Sequence, residues 1–262
     1  LLHESNAFPG KAVKMLAKKT DTILVSFEDA INRIKNANKI VFTGTPVKIE
    51  KQNYTQTQKD EIIKKAGLNK DKPIVLVFGG SQGARRINQA ILQIIKEESN
   101  KDYQIIWATG PKQYDIIKEE LEDNDKNINN IKNMKIVPYI YNMEEIMNVV
   151  DVIVSRSGAM TITEISKLGK PSILVPLPNV SHDHQLYNAK VLQNVGAAEI
   201  ILDNELDGKK LNDNIEKIVL DKNKIKLMGE NALKVSSKNV ENKIYEQIIE
   251  TIKIHNEGKN ND

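Results

Sequence analysis

Polar and apolar positions in this chain follow two alternating periods. Short runs rich in β-formers, several of them apolar nearly throughout, alternate with stretches in which apolar residues return every three or four positions. The runs predict strands over Thr22–Ser26, Lys39–Thr43, Pro73–Phe78, Gln104–Ala108, Lys135–Pro138, Val152–Ser155, Ser172–Val175 and Glu199–Ile201. Runs such as "IVLVF" and "VIVS" suit strands covered on both faces, as in a parallel sheet. The intervening stretches predict helices over Lys11–Lys19, Thr57–Ala66, Ala84–Glu98, Lys112–Glu122, Met143–Val149, Thr161–Leu168 and Asp183–Val195, and the segment from Asp207 to His255 is helical and highly charged. Such alternation predicts an α/β fold, a doubly wound parallel sheet with right-handed crossovers.

The segment Ile49–Gln58 is polar and unpatterned and reads as a linker. It divides residues 1–48, too short for a domain, from residues 59–240, a nearly complete Rossmann-like unit; residues 241–262 read as a terminal helix and a frayed tail. The chain opens without Met, inside what looks like a strand, so we expect it to continue upstream. "EDNDKNINNIKN" reads as a low-complexity loop without a function.

Composition narrows the chemistry. There is no cysteine among the 262 residues, which excludes disulfides, thiol nucleophiles and thiolate metal sites. A net charge of +3 and an aromatic content of 5% argue against a nucleic-acid partner, which calls for a clustered basic face and stacking rings. The same weak charge is compatible with a peripheral encounter with an anionic membrane. No apolar run approaches the 18 or so residues of a spanning helix, and no signal peptide is evident, so a cytosolic protein is expected.

Three loops carry the candidate chemistry. In "VFGGSQGARRINQAI" at 77–91, three glycines and Ser81 stand where a strand turns into a helix. The free N–H groups of a helix start suit a phosphate, with Ser81 as an added donor. The spacing is not that of a Walker A loop, and the acidic residue of a dinucleotide fingerprint is missing. A tight turn with close helix packing is the plainer reading. In "VSRSGAMTITE" the theme returns: a strand ends near Ser155 and a helix is expected to open near Thr161. Thr161 and Glu164 have capping-box spacing; the alternative is a second ligand-facing helix start, with Glu164 accepting from sugar hydroxyls as an acidic residue does for ribose. The third loop, "LPNVSHDHQLYNA", gathers His182, Asp183, His184 and Gln185 at a helix start. Gln185 and Asn188 offer amides that suit sugar hydroxyls, and the histidines lack further ligands at metal spacing. No G-x-S-x-G elbow supports a serine hydrolase.

Taken in order, "HESN", "TGTPVK", "GGSQGA", "SRSGAMTITE" and "HDHQLYNA" resemble the MurG family of peptidoglycan glycosyltransferases, over residues 1 to about 202. The resemblance implies a GT-B fold, two Rossmann-like domains facing a cleft. This chain then holds the whole donor domain and the end of the acceptor domain. It implies inverting transfer of N-acetylglucosamine from UDP-N-acetylglucosamine to an undecaprenyl-linked muramyl-pentapeptide (lipid I to lipid II), peripherally at the cytoplasmic face of the membrane, with no cofactor. Asn6 resembles a contact to the donor sugar, Ser81 a phosphate contact, and Ile140 in "VPYIYNM" the position whose backbone reads uracil. Ala159, Met160, Thr161, Ile162, Thr163 and Glu164 resemble the diphosphate and ribose segment, and Gln185 a contact to the N-acetylglucosamine hydroxyls. Lys48 stands where the family has Arg and Ser5 where it has Gln; Lys keeps the charge without the bidentate fork. His3 reads either as an acceptor-side contact or as motif packing. The general base is expected upstream, so this chain alone is expected to be inactive. Competing readings are another nucleotide-sugar enzyme of this architecture and a binding-only UDP-sugar module.

Overall fold

The computed structural model describes residues 1–80, 84–97, 101–178 and 183–259, the side chains of 255 and 257–259 excepted. Among the described residues two parallel sheets carry the fold. The first has three strands, β1 (Leu2–Glu4), β2 (Ile23–Val25) and β3 (Ile40–Phe42), in that order. The second has six: β4 (Ile74–Phe78), β5 (Gln104–Ala108), β6 (Met134–Val137), β7 (Val152–Ser155), β8 (Ser172–Leu174) and β9 (Ala198–Ile200). They run β6-β5-β4-β7-β8-β9. Counted within that sheet the order is 3-2-1-4-5-6, that of doubly wound nucleotide-binding sheets. The winding reverses between β4 and β7, and ligands bind such sheets in the crevice at the carboxyl ends of those strands.

The strand runs were legible because the sheet is covered twice. Successive side chains of a strand point to opposite faces. Val75 and Val77 of β4 join Trp107, Val152 and Val154 in one core, under α3 (Arg85–Lys96) and α8 (Gly208–Val219). Ile74, Leu76 and Phe78 join Ile106, Ile153 and Leu174 in the other, under α5 (Met143–Val149), α6 (Ala159–Leu168) and α7 (His184–Asn194). Each fully buried aliphatic side chain contributes about 1.5–3 kcal/mol, so neither face tolerates a polar stripe. A smaller core around Ile23, Val25 and Ala30 supports the first sheet.

The structure amends several expectations. The segment read as a linker is anchored at its start: Ile49 is buried, and the Glu50 and Gln52 amides donate to Glu144 and Asn148. Its end is already the start of α2 (Gln56–Lys65), where Thr55 Oγ1 accepts from the Gln58 amide at 3.3 Å and Gln58 Oε1 from the Thr55 amide at 2.8 Å. That reciprocal pair closes a capping box. The low-complexity loop holds one core residue, Ile128, in a short 3-10 turn. A further 3-10 turn at Glu28–Arg33 was too short to show a period. The charged carboxy-terminal stretch is three helices, α8, α9 (Lys222–Val235) and α10 (Val240–Lys259). Asp221 caps α9 by accepting from the amides of Asn223 and Lys224. α10 then returns to the first sheet, where Glu250 pairs with Lys39 at 2.7 Å. At the approach to that helix the Ser237 hydroxyl donates to the Thr43 carbonyl at 2.8 Å.

Candidate functional site

β4, β7 and β8 end level with one another, Ser155 lying opposite both Phe78 and Leu174. The three loops singled out in the sequence therefore leave one edge of the sheet side by side. Gly80 lies at φ 78°, a left-handed conformation that glycine adopts without strain. Ser81 and His182 lie outside the described residues.

The second loop leads into an uncapped helix start. α6 begins at Ala159, two residues before the expected Thr161, with Gly158 as an N-cap that offers no side chain. Thr161 is thus the third residue of the helix and Glu164 the sixth, and the capping-box reading of this pair fails. The ladder opens with Ile162 N–H on the Gly158 carbonyl. That leaves the N–H groups of Ala159, Met160 and Thr161 without a partner among the described residues, the free positive end of a helix dipole. A side chain at Gly158 would meet nothing within 4 Å, and its φ is −62°. Neither backbone nor packing requires glycine there.

The α6 side chains divide by role. Ile162 is fully buried in the core, Met160 is exposed, and the Thr163 hydroxyl is engaged by the Ala159 carbonyl at 3.0 Å. Glu164 is half-buried with no hydrogen bond or ion pair among the described residues, and burial alone pushes its carboxyl above the usual range. A partly desolvated, unpaired carboxylate is the kind of group found where a ligand supplies the missing donors. Arg156, the one cation in the loop, is not free. Its guanidinium donates to the carbonyls of Val175 and Pro176 and pairs with Asp203.

The third loop and the first sheet meet at Asn188. Its Oδ1 accepts from the Ala7 amide at 2.8 Å; its Nδ2 donates to Asn6 Oδ1 at 3.1 Å and to the Ser157 carbonyl at 3.2 Å. The Asn188 amide, read from the sequence as a sugar contact, is committed within the protein. Asn6 is held from its other side by buried Glu4, whose Oε1 accepts from the Asn6 backbone at 2.8 Å and side chain at 3.2 Å. Phe8 stacks on Tyr187 with centroids 4.7 Å apart, docking the same loop on α7. Gln185 Oε1 accepts from the Leu177 amide at 3.0 Å and its carbonyl accepts from the Ser157 hydroxyl at 2.8 Å, leaving its Nε2 without a partner among the described residues.

Two predicted positions stand apart from this cluster. The Ile140 side chain is core, yet its backbone N–H and C=O have no partner among the described residues. It lines a cavity of about 240 Å³ with Tyr139 and Tyr141. Lys48 is exposed, and among the described residues no hydrogen bond or ion pair ties it to the loops. His3 Nε2 lies 3.0 Å from the Gly44 carbonyl. Among the described residues no group of three or more His, Asp or Glu is placed to hold a metal, and no helix is long and apolar enough to cross a membrane. The roles of Arg156 and Asn188 were not readable beforehand, because their partners lie on other loops.

Comparison with known proteins places this geometry. Residues 74–248 match the glycosyltransferase family 28 C-terminal domain. The chain is 39% identical over 255 residues to the UDP-N-acetylglucosamine--N-acetylmuramyl-(pentapeptide) pyrophosphoryl-undecaprenol N-acetylglucosamine transferase of Acetivibrio thermocellus, covering 97% of this chain and 67% of that protein. It is 42% identical over 236 residues to the protein of the same name from Desulforamulus reducens, covering 90% and 63%. It thus spans about two thirds of the length of these curated relatives. The crystal structure of Acinetobacter baumannii MurG matches with a TM-score of 0.70 at 24% identity, covering 95% of this chain and 65% of that one. A UDP-glucose:anthocyanidin 3-O-glucosyltransferase in complex with UDP matches at 0.60 and 15% identity, covering 88% and 51%. These matches show a GT-B fold.

Proposed function

We propose, from the premise that this chain belongs to the MurG branch of glycosyltransferase family 28, that it supplies the UDP-N-acetylglucosamine site of an N-acetylglucosaminyltransferase of peptidoglycan synthesis. The uncapped, unobstructed start of α6 carries the reading. Three N–H groups there have no partner among the described residues, and a side chain at Gly158 would meet none of these residues within 4 Å; a diphosphate suits such a helix start. Glu164, two turns in and without a partner among the described residues, accepts from the ribose hydroxyls. The Ile140 backbone meets the uracil edge. Asn6 and the Nε2 of Gln185, which has no partner among the described residues, meet the N-acetylglucosamine hydroxyls. Ser81, by its place in the glycine loop, adds a donor to the diphosphate, and Lys48 adds charge at the cleft.

The reaction is one displacement with inversion. An acceptor hydroxyl forms its bond to the anomeric carbon as the bond to the UDP oxygen breaks. The electron pair leaves with UDP, and the hydroxyl proton passes to a base supplied by the part of the relatives that this chain does not span. Negative charge growing on the leaving diphosphate is met by the α6 amides, already oriented before reaction; losing one donor of this kind costs about 2.7–4 kcal/mol of transition-state stabilisation. The acceptor is the undecaprenyl-linked muramyl-pentapeptide, met at the cytoplasmic face of the membrane. A binding-only UDP-sugar module is the second reading. Calorimetric titration with UDP-N-acetylglucosamine, against UDP-glucose and GDP-mannose, tests the donor site; equal or absent binding of all three by a folded chain would sink it. Transfer to a lipid-linked acceptor then separates enzyme from binding module.

A further inference from the structure

We infer that Asn188 is a positioning residue for the donor sugar: it sets the orientation of the Asn6 amide and locks that amide to the start of the diphosphate helix. The inference rests on the donor-site reading and deepens it. Asn188 is fully buried and joins three segments far apart in sequence. Its orientation is forced by chemistry: the Ala7 N–H can only donate, so Oδ1 faces it, and the Ser157 carbonyl can only accept, so Nδ2 faces that. The second Nδ2 proton then goes to Asn6 Oδ1 at 3.1 Å, which commits Asn6 Oδ1 as an acceptor. Glu4, an acceptor only when ionised, takes one Asn6 Nδ2 proton at 3.2 Å. One Asn6 N–H remains without a partner among the described residues.

The consequence is selective. Asn6 sits on the loop after β1 and Ser157 sits one residue before the α6 cap, and Asn188 holds both. Ser157 in turn donates to the carbonyl of Gln185 at 2.8 Å. The two residues proposed to meet the sugar are therefore set through one buried amide. Among the described residues no hydrogen bond joins Ile140, the proposed uracil position, to this network. Loss of the Asn188 donor accordingly falls on sugar recognition before it falls on nucleotide recognition.

The test is titration of the 262-residue chain with UDP-N-acetylglucosamine and with UDP, in the wild type and in Asn188→Asp. The variant keeps the shape and the acceptor for Ala7 but turns an oxygen toward Asn6 Oδ1 and the Ser157 carbonyl. With the net contribution of one hydrogen bond lost, the preference for UDP-N-acetylglucosamine over UDP is expected to fall about 2- to 12-fold, with UDP affinity held within about twofold. Combined with Asn6→Ala, Asn188→Asp is expected to add no further loss, because the two act through one amide. Should Asn188→Asp fail to fold, Asn188→Ser, whose hydroxyl can donate only once, carries the same comparison. Equal losses for both ligands, or additive losses in the double variant, overturn the role of Asn188 and leave the donor site standing. Failure of the wild type to bind UDP-N-acetylglucosamine overturns the donor-site reading and this inference with it.

Discussion

Glu164→Gln separates ligand binding from folding at one atom pair. Gln keeps the length and planarity of the side chain and removes a charge that burial disfavours and that no group among the described residues offsets. If the carboxylate accepts from ribose hydroxyls, the variant loses a charge-assisted hydrogen bond, worth roughly 1.5–3 kcal/mol, or about a 10- to 150-fold weaker affinity for UDP. Stability should move the other way. A carboxyl whose native pKa is raised binds more protons folded than unfolded between its ordinary value of 4.5 and the raised one. Its contribution to stability therefore falls as pH rises through that window. The Gln variant should match the wild type under acid conditions and exceed it at neutral pH by a fraction of a kcal/mol, ~1–2 °C in Tm for a chain of this size. Calorimetric titration with UDP and thermal melts at acid and neutral pH read both arms. A variant that melts lower while binding UDP as the wild type does would refute the argument and return Glu164 to a structural role.

Three further substitutions probe the same edge of the sheet. Gly158→Val introduces side-chain atoms where nothing lies within 4 Å; stability should stay within roughly 0.5 kcal/mol, while titration shows UDP binding lost. Arg156→Ala strands Asp203, since both side chains are largely buried, at 12% and 16% exposure; chemical denaturation should show a loss of about 3–5 kcal/mol, the usual cost of breaking a buried pair. Lys170 donates to the carbonyls of Asn148 and Val150, and burial pushes its ammonium down to about 8 from 10.5. Between those values the unfolded chain binds more protons, so stability rises with pH. Unfolding at pH 9, measured by calorimetry in buffers of different ionisation heat, should take up most of one proton more in the wild type than in Lys170→Met.

The sheet was legible because its central strands are apolar on both faces, and β4, β5 and β7 fall within two residues of their expected bounds. The start of α6 was misjudged by two residues because its cap is a glycine, which leaves no side-chain signal, while Thr161 and Glu164 mimic a capping box at the wrong turn. The helical period after Asp207 was clear, but the breaks at Asp221 and residues 236–239 rest on caps and tertiary contacts. Within the candidate site, Asn6, Gln185 and the Ala159–Glu164 segment were pointed to by motif. What each side chain has left to offer a ligand was not, because that depends on partners such as Asn188, 182 positions from Asn6.

The return of α10 to the first sheet carries a consequence for how the chain is made. Lys39 and Glu250 are 211 positions apart, so during synthesis the three-stranded sheet waits for nearly the whole of the chain before its last helix arrives. The six-stranded sheet has all of its strands by residue 200 and can form while the ribosome still holds α10. Domains fold as units in the order of their emergence, yet here the earlier of the two sheets receives its last helix after the later one has all of its strands. Pausing translation near residue 240 should release a nascent chain with its second sheet protease-resistant and its first still open to cleavage.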